Sequence, residues 1–264
     1  MPPARKRARA YDDTKIRAAV LAQFAHIGQA VSTLTAEQLA RPTRVGERTV
    51  RELAADTALT ADGILRSLDL PAPPRVELAL VDWPADTAPL RLLLDGTARS
   101  FAAAEPDLGA LYARTADRLA RALDGVSPDR LLALPSGAMR LGDFLVTRTV
   151  ELTVRTDDLN DALGLRIPHE RQALAACTRL LADVLARKAP GGSVEVRVPP
   201  YAVVQCVEGP RHTRGTPPNV VETDPLTWAR LATGRTTWAE ARDAAQVSAS
   251  GERADLAAFL PLLG

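Results

Sequence analysis

Charged side chains recur at helical spacing between residues 144 and 159. Arg148, Glu151 and Arg155 follow one another at steps of three and four, and the apolar residues Phe144 and Leu159 bracket them. Residues three or four positions apart share one face of a helix. A guanidinium forms paired hydrogen bonds to a carboxylate, so this column predicts ion pairing in a partly buried pocket.

A second predicted helix carries one acidic residue, Asp56, among mostly apolar neighbours. Asp56 shares a helical column with Leu53, Thr60 and Ile64. The run from Thr49 to Glu52 is a capping box, in which a hydroxyl and a carboxylate satisfy the first free N–H groups of a helix. The helix is therefore predicted to begin there and to end near Leu68, before the prolines at 71, 73 and 74.

The densest polar group of the C-terminal half lies in the turn-rich run from 209 to 218. Arg211, His212 and Arg214 stand close to glycines there. Two guanidiniums, an imidazole and backbone N–H groups suit a carboxylate or a phosphate. The run is interpreted as an anion- or ligand-binding loop, as a contact with the N-terminal half, or as an ordinary surface loop.

The elements that must position these side chains differ between the two halves. Helical periodicity predicts helices over about 12–34, 49–68, 108–123 and 141–163, and more weakly over 90–104. Gly164 suits the position after the end of the last of these helices. Because no strand pattern interrupts them, these helices predict an antiparallel four-helix bundle.

The pattern changes after about residue 165. A helix over about 169–188 is followed by strand-like runs at 194–198, 201–207, 219–222 and 247–250, the second of them largely buried. Asp224-Pro225 and Thr237 are typical starts of short helices, and a final helix is predicted over about 252–262. This half is predicted to be an α+β domain, with the domain boundary at 164–168.

Bulk composition excludes several classes of protein. The 264 residues carry 33 basic and 32 acidic side chains, without the basic excess that nucleic-acid binding requires. No apolar run reaches the length of about 18 residues that a transmembrane helix needs, and no signal peptide follows the basic N-terminus. Cys177 and Cys206 lack the spacing of a zinc or redox motif. These observations predict a cytoplasmic protein.

The two halves resemble two known families. The run TDPLTWARLATGRTTWAEARDAAQVSASGERADLAAFLPLL resembles the sterol carrier protein type 2 fold. The motifs TVRELAAD at 49–56 and RTVELTVRTDDL at 148–159 resemble the DinB-like bundle of mycothiol-dependent maleylpyruvate isomerase. That isomerase family joins such a bundle to a sterol-carrier-like domain. The resemblance implies a disordered basic tail at 1–11, a DinB-like bundle at 12–165 and a small α+β domain at 166–264.

The resemblance also implies where a metal would lie. Active members of the isomerase family hold a divalent metal, usually zinc, with two histidines and a glutamate. Their motifs place these ligands at Asp56, Glu151 and Arg155, of which only the glutamate is retained. An arginine carries a permanent charge and has no lone pair to offer a metal. We therefore expect no metal at this degenerate site.

Three interpretations of the degenerate site remain open at this point. In the first, Asp56, Glu151 and Arg155 form a salt-bridged cluster, and Arg148 balances the second acid. In the second, Arg155 is a solvated surface ion pair. In the third, His26 on the first helix completes a metal set with the two acids. The resemblance implies that Asp157 accepts a hydrogen bond from a metal ligand in metal-bearing relatives, and Asp157 and Asp158 are otherwise expected on a polar helix face.

Three functions follow from these interpretations. The first is a non-catalytic protein that binds a small, lipid-like ligand, apolar or acidic in its chemistry, without a cofactor. The second is a mycothiol-dependent, zinc-assisted isomerase or thiol transferase. The third is a module that binds a partner protein or regulates one. Fold alone does not decide among them, because one fold carries many functions.

Overall fold

The computed structural model describes residues 9–84, 99–210 and 218–263. Four long helices build the N-terminal half. The two that come first in the chain each pack against both of the two that come later. They are α1 (Asp13–Val31), α3 (Val50–Asp69), α4 (Leu108–Leu123) and α5 (Leu141–Leu163), with the short α2 (Ala36–Leu39) between the first two. This arrangement confirms the predicted helical bundle.

Local capping signals set the ends of these helices. The Thr49 hydroxyl accepts from the Glu52 backbone N–H, and the Glu52 carboxylate accepts from the Thr49 backbone N–H at 2.8 Å, as a capping box requires. Gly164 follows α5 with φ at +65°, a left-handed conformation that favours glycine. Both predictions are confirmed, so the helices that carry Asp56 and Arg155 begin and end where the sequence indicates.

An aromatic stack lies at the centre of the bundle. The rings of Phe24 on α1 and Tyr112 on α4 are stacked with centroids 4.7 Å apart. The Tyr112 hydroxyl donates to the Ala54 carbonyl of α3 at 2.9 Å. A fully buried tyrosine therefore has its polar group satisfied, and it ties α4 to the turn of α3 that carries Asp56.

A short hairpin was absent from the sequence prediction. Strands β1 (Leu131–Leu134) and β2 (Gly137–Arg140) pair antiparallel just before α5. Leu131–Leu134 is apolar throughout and Gly137–Arg140 lacks β-branched and aromatic residues, so neither run has the alternation or composition that indicates a strand. Of the weak helix predicted over 90–104, residues 99–104 are helical, and 90–98 lie outside the described residues.

The C-terminal half is an α+β domain, as predicted. Its four-stranded sheet has the order β4-β3-β5-β6, in which only the central pair β3–β5 is parallel. The strands are β3 (Val194–Val198), β4 (Ala202–Cys206), β5 (Val220–Thr223) and β6 (Val247–Ser250). The helices are α6 (Arg171–Lys188), α7 (Pro225–Ala232) and α8 (Trp238–Asp243).

Two expectations for this half are wrong. The predicted final helix is reduced to a single 3₁₀ turn at Ala257–Phe259, because Pro261 cannot continue a helix and Leu262 and Leu263 bond to the Ala232 carbonyl instead. Strand β4 is not largely buried along its length, since its side chains alternate and Val203 is 60% exposed.

Helix α6 connects the two halves. It packs against α1 and α5 of the bundle and against β4 and α7 of the C-terminal half. Cys177, on this helix, is fully buried. Residues 1–8 of the predicted tail lie outside the described residues, whereas Arg9 forms two hydrogen bonds to Asp183 of α6 at 2.8 and 3.0 Å. No helix among the described residues has the length and hydropathy to cross a membrane.

Candidate functional site

Asp56 on α3 is held by two arginines. Arg155 of α5 donates through Nη2 to Asp56 Oδ2 at 2.6 Å, and Arg48, in the loop before α3, donates through Nη1 to the same oxygen at 2.8 Å. All three side chains are mostly buried. The Asp56 carboxylate is therefore a shared acceptor of two charge-assisted hydrogen bonds, which are the strong kind in a protein.

Glu151 is held by a third arginine, Arg148. The Nη1 atom of Arg148 lies 2.7 Å from Glu151 Oε2, and its Nε and Nη2 atoms donate to the Thr147 hydroxyl at 3.1 and 3.0 Å. The guanidinium carbon lies 4.4 Å from the ring centroid of Phe144 and 5.8 Å from that of Trp83. Burial lowers the pKa of Arg148, and the neighbouring Glu151 charge opposes that shift.

These residues do not fit a divalent metal ion. Arg155 has no lone pair, and its charge lies where a metal would have to bind next to Asp56. Over residues 9–84, 99–210 and 218–263, no group of three His, Cys, Asp or Glu side chains is arranged to hold a metal. His26 consequently does not complete a ligand set with Asp56 and Glu151, and its buried Nδ1 atom has no hydrogen-bond partner in the described part of the chain.

Asp157 and Asp158 are buried rather than placed on an exposed polar face. Asp157 accepts from Arg230 Nη2 at 2.6 Å and Nε at 2.8 Å, and it also accepts from Arg44. Asp158 accepts from Arg44 Nε at 2.8 Å and from Arg235 Nη2 at 3.0 Å. Burial raises the pKa of Asp157, but the hydrogen bonds from Arg230 and Arg44 outweigh it and hold that pKa below its usual value.

Four of these arginines cannot be predicted from the sequence as members of the site. Arg44, Arg48, Arg230 and Arg235 lie in loops or in a short helix, and their spacing along the chain shows no relation to the acids that they contact. Among 30 arginines, nothing in the sequence marks these four. The predicted ligand loop with Arg211, His212 and Arg214 lies outside the described residues.

The cysteines are unsuited to thiol chemistry as the chain is folded. Cys177 and Cys206 are both fully buried and form no disulfide. Burial raises the pKa of the Cys177 thiol to about 12, and a contact with Thr153 opposes that shift. Because the thiolate is the nucleophile, a thiol with so high a pKa is unreactive at neutral pH.

We expect acidification to destabilise the protein in two steps. Burial lowers the pKa of His169 in the folded chain. As the pH falls through about 6.5, the unfolded chain therefore binds a proton at His169 more readily than the folded chain does. The free energy of unfolding consequently decreases as the pH is lowered from there. Asp157 is an acid rather than a base, but its protonation also destabilises the folded chain as the pH falls. Its lowered folded pKa stabilises the folded chain above about pH 3.9, and that stabilisation is lost as the pH falls further.

Urea unfolding followed from pH 7.5 to pH 3 measures both steps. The matched variant His169→Gln removes the first step and retains the second. A wild-type free energy of unfolding that is flat between pH 7.5 and pH 5, or an unchanged slope in the variant, would contradict the assignment to His169.

The chain matches two protein-family models and is similar to solved structures. The family model of the mycothiol maleylpyruvate isomerase N-terminal domain matches residues 20–160, and a model described as a bacterial SCP ortholog matches residues 170–262. No curated protein matches the chain significantly. Solved structures of the mycothiol-dependent maleylpyruvate isomerase and of its histidine-to-alanine mutant superimpose with TM-scores of 0.58 and 0.61. Each is 15% identical and covers 91% of this chain and 93% of its own, which establishes a shared fold.

Proposed function

Because the chain belongs to the family of the mycothiol maleylpyruvate isomerase N-terminal domain, which matches residues 20–160, we propose that it is a small-ligand binding protein that works without the metal-assisted thiol chemistry of that isomerase. One observation carries the proposal. The Asp56 carboxylate oxygen accepts from Arg155 at 2.6 Å and from Arg48 at 2.8 Å, so guanidiniums hold the carboxylate that a metal would need.

The chemistry of this cluster supports the absence of metal-assisted catalysis. A zinc site that activates a thiol requires three protein ligands with lone pairs and an open fourth position. Arg155 offers no lone pair, and the cluster brings two cations to one carboxylate. Neither Cys177 nor Cys206 substitutes for an external thiol, because both are buried.

Support for a small ligand comes from the C-terminal half. Residues 170–262 match the bacterial SCP ortholog model. Within that half Trp228 is fully buried, and its Nε1 atom has no hydrogen-bond partner among the described residues. Buried donors are paired in most proteins, by protein groups or by ordered water, so a water or an acceptor on a bound molecule would satisfy this one. An apolar ligand with one acceptor, such as a carboxylate or a lipid-like acid, has the required chemistry.

Native mass spectrometry combined with elemental analysis tests this proposal. The full chain is purified without added chelator, incubated with zinc, desalted, and weighed intact with and without added mycothiol. We expect an adduct with the mass of a small organic molecule and zinc far below one ion per chain. Incubation with zinc is the necessary control, since it excludes loss of the metal during purification.

Two outcomes would overturn the proposal, each in favour of an alternative function. About one tightly held zinc ion per chain, together with a mycothiol adduct, would favour the metal-assisted isomerase or thiol transferase. A chain that stays bare in every preparation, while a protein partner copurifies, would favour the interaction module.

A further inference from the structure

Two adjacent carboxylates lie where the two halves meet, and they accept guanidiniums from both sides. Asp157 and Asp158 belong to α5 of the bundle, and Arg230 and Arg235 belong to the C-terminal half. Arg44, from the loop between α2 and α3, contacts both acids. We call these five residues the ionic latch.

The two acids of the latch are buried, and their burial determines how much their ion pairs contribute to stability. Asp158 is 0% exposed and Asp157 is 3% exposed. Exposed ion pairs contribute little because water screens them. A buried pair is different, since removal of one partner leaves a charge that neither water nor a protein group compensates. Each acid is shared by Arg44 and one arginine of the C-terminal half, so loss of that arginine leaves the buried carboxylate with Arg44 alone.

The arginines of the C-terminal half are held in position by local structure. Asp224 caps the start of α7 by accepting from the backbone of Leu226 and Thr227. After the helix ends, Arg235 donates its backbone N–H to the Arg230 carbonyl at 2.8 Å and its Nη1 to the Thr233 carbonyl at 2.8 Å. The turn after α7 thus presents both guanidiniums to α5.

The latch continues to the degenerate site in the bundle. Arg155 donates through Nη2 to Asp56 at 2.6 Å, and its Nη1 lies 3.9 Å from Asp158 Oδ2. A chain of alternating charges consequently runs from Asp56 on α3 to Arg235 beyond α7. The arginine at position 155 thereby connects the cluster around Asp56 with the contact between the halves.

The segment that connects the two halves, residues 164–170, is held against the bundle helices by side-chain hydrogen bonds. The Asn160 side chain bonds to both backbone groups of Ile167, at 2.7 and 3.0 Å. The Gln23 side chain donates to the Pro168 carbonyl at 3.0 Å and accepts from the Glu170 backbone N–H at 2.5 Å. Arg166 in this connection is exposed. Cleavage after Arg166 would therefore report separation of the connection from the helices beneath it.

We propose that the ionic latch holds α7 and the turn after it against α5 of the bundle, in addition to the apolar packing of α6 on α1 and α5, and that loss of the latch makes the two halves separate more often. The charge network at the degenerate site then has a structural role, the attachment of one half of the protein to the other. This role does not depend on whether a ligand binds. The latch also borders the closely packed contact between α5 and α7, where Thr153, Asp157, Leu226, Ala229, Arg230 and Arg235 meet.

Limited digestion of the full chain with trypsin tests the latch. The rate of cleavage after Arg166 is compared for the wild type, Arg230→Gln and Arg235→Gln. We expect each variant to be cleaved at least about tenfold faster there, because proteolysis of a folded protein follows the population of its open form. Arg230→Lys retains the charge but loses the paired geometry, so an intermediate rate is expected.

A matched control separates the latch from ion pairing in general. Arg9 and Asp183 form a two-bond pair of similar length outside the latch, but the Asp183 side chain is 23% exposed where that of Asp157 is 5% exposed, so Arg9→Gln is expected to leave the cleavage rate after Arg166 unchanged. Unchanged cleavage in Arg230→Gln and Arg235→Gln would overturn the proposal. It would also be overturned if cleavage after Arg121, on α4 of the bundle, rose by the same factor as cleavage after Arg166. That result would mean loss of the whole fold.

Discussion

Replacement of Asp56 and Arg155 together by histidine is expected to create a zinc site. The two positions are close enough for their present side chains to meet at 2.6 Å, and Glu151 lies one helical turn before Arg155. Two histidines and one glutamate are a common zinc ligand set, and they leave one position open. Glu151 also retains an oxygen beyond the one bonded to Arg148.

We expect a large change in both the zinc content and the zinc-dependent stability of the double variant. We expect the double variant to retain about one zinc ion per chain after desalting, and the wild type to retain almost none. Zinc at about 100 times its dissociation constant would stabilise the variant by about 2.7 kcal/mol, an effect that a chelator removes. Elemental analysis and thermal unfolding with and without chelator measure both quantities.

The single variant Asp56→His is the control for this experiment. It retains the Arg155 charge, so it should bind no more zinc than the wild type. Zinc binding by this single variant would show that Arg155 does not exclude the metal. Failure of a folded double variant to bind zinc would show that the three positions do not converge on one ion.

Replacement of Asp158 by asparagine is expected to cost about 3–5 kcal/mol of unfolding free energy. Asp158 is fully buried and accepts from both Arg44 and Arg235, so the change leaves the mostly buried Arg235 guanidinium without a carboxylate and leaves Arg44 with Asp157 as its remaining buried acid. Asparagine has nearly the same shape, so the loss would reflect charge rather than packing. Urea unfolding with linear extrapolation measures it.

Asp161 on the same helix provides the comparison. It lies 3.7 Å from Arg44, but its side chain is 51% exposed. Exposed pairs contribute about 0–1 kcal/mol, so Asp161→Asn should have a small effect. If the two variants lost similar amounts of stability, burial would not be what makes the Asp158 contacts strong.

The helices of the candidate site could be predicted because their signals are local. The capping box at Thr49 and Glu52 and the left-handed Gly164 act over four residues or fewer, and both occur as the sequence indicates. Periodicity likewise placed Arg148, Glu151 and Arg155 on one face of α5. The sequence does not predict the hairpin at 131–140, because neither of its strands alternates apolar and polar residues. The final helix failed because tertiary hydrogen bonds to Ala232 competed with helical ones.

By itself, the sequence determined the helical bundle, the α+β half and the side chains at the three positions of the degenerate site. The tertiary structure decided which charges meet. Arg155 pairs with Asp56, 99 residues away, and Arg230 pairs with Asp157, 73 residues away. A guanidinium at the end of a flexible side chain can reach any carboxylate that folding brings near, and sequence spacing carries no record of that proximity. For this reason the residue types were readable from the sequence, whereas the charge network that joins the two halves required the fold.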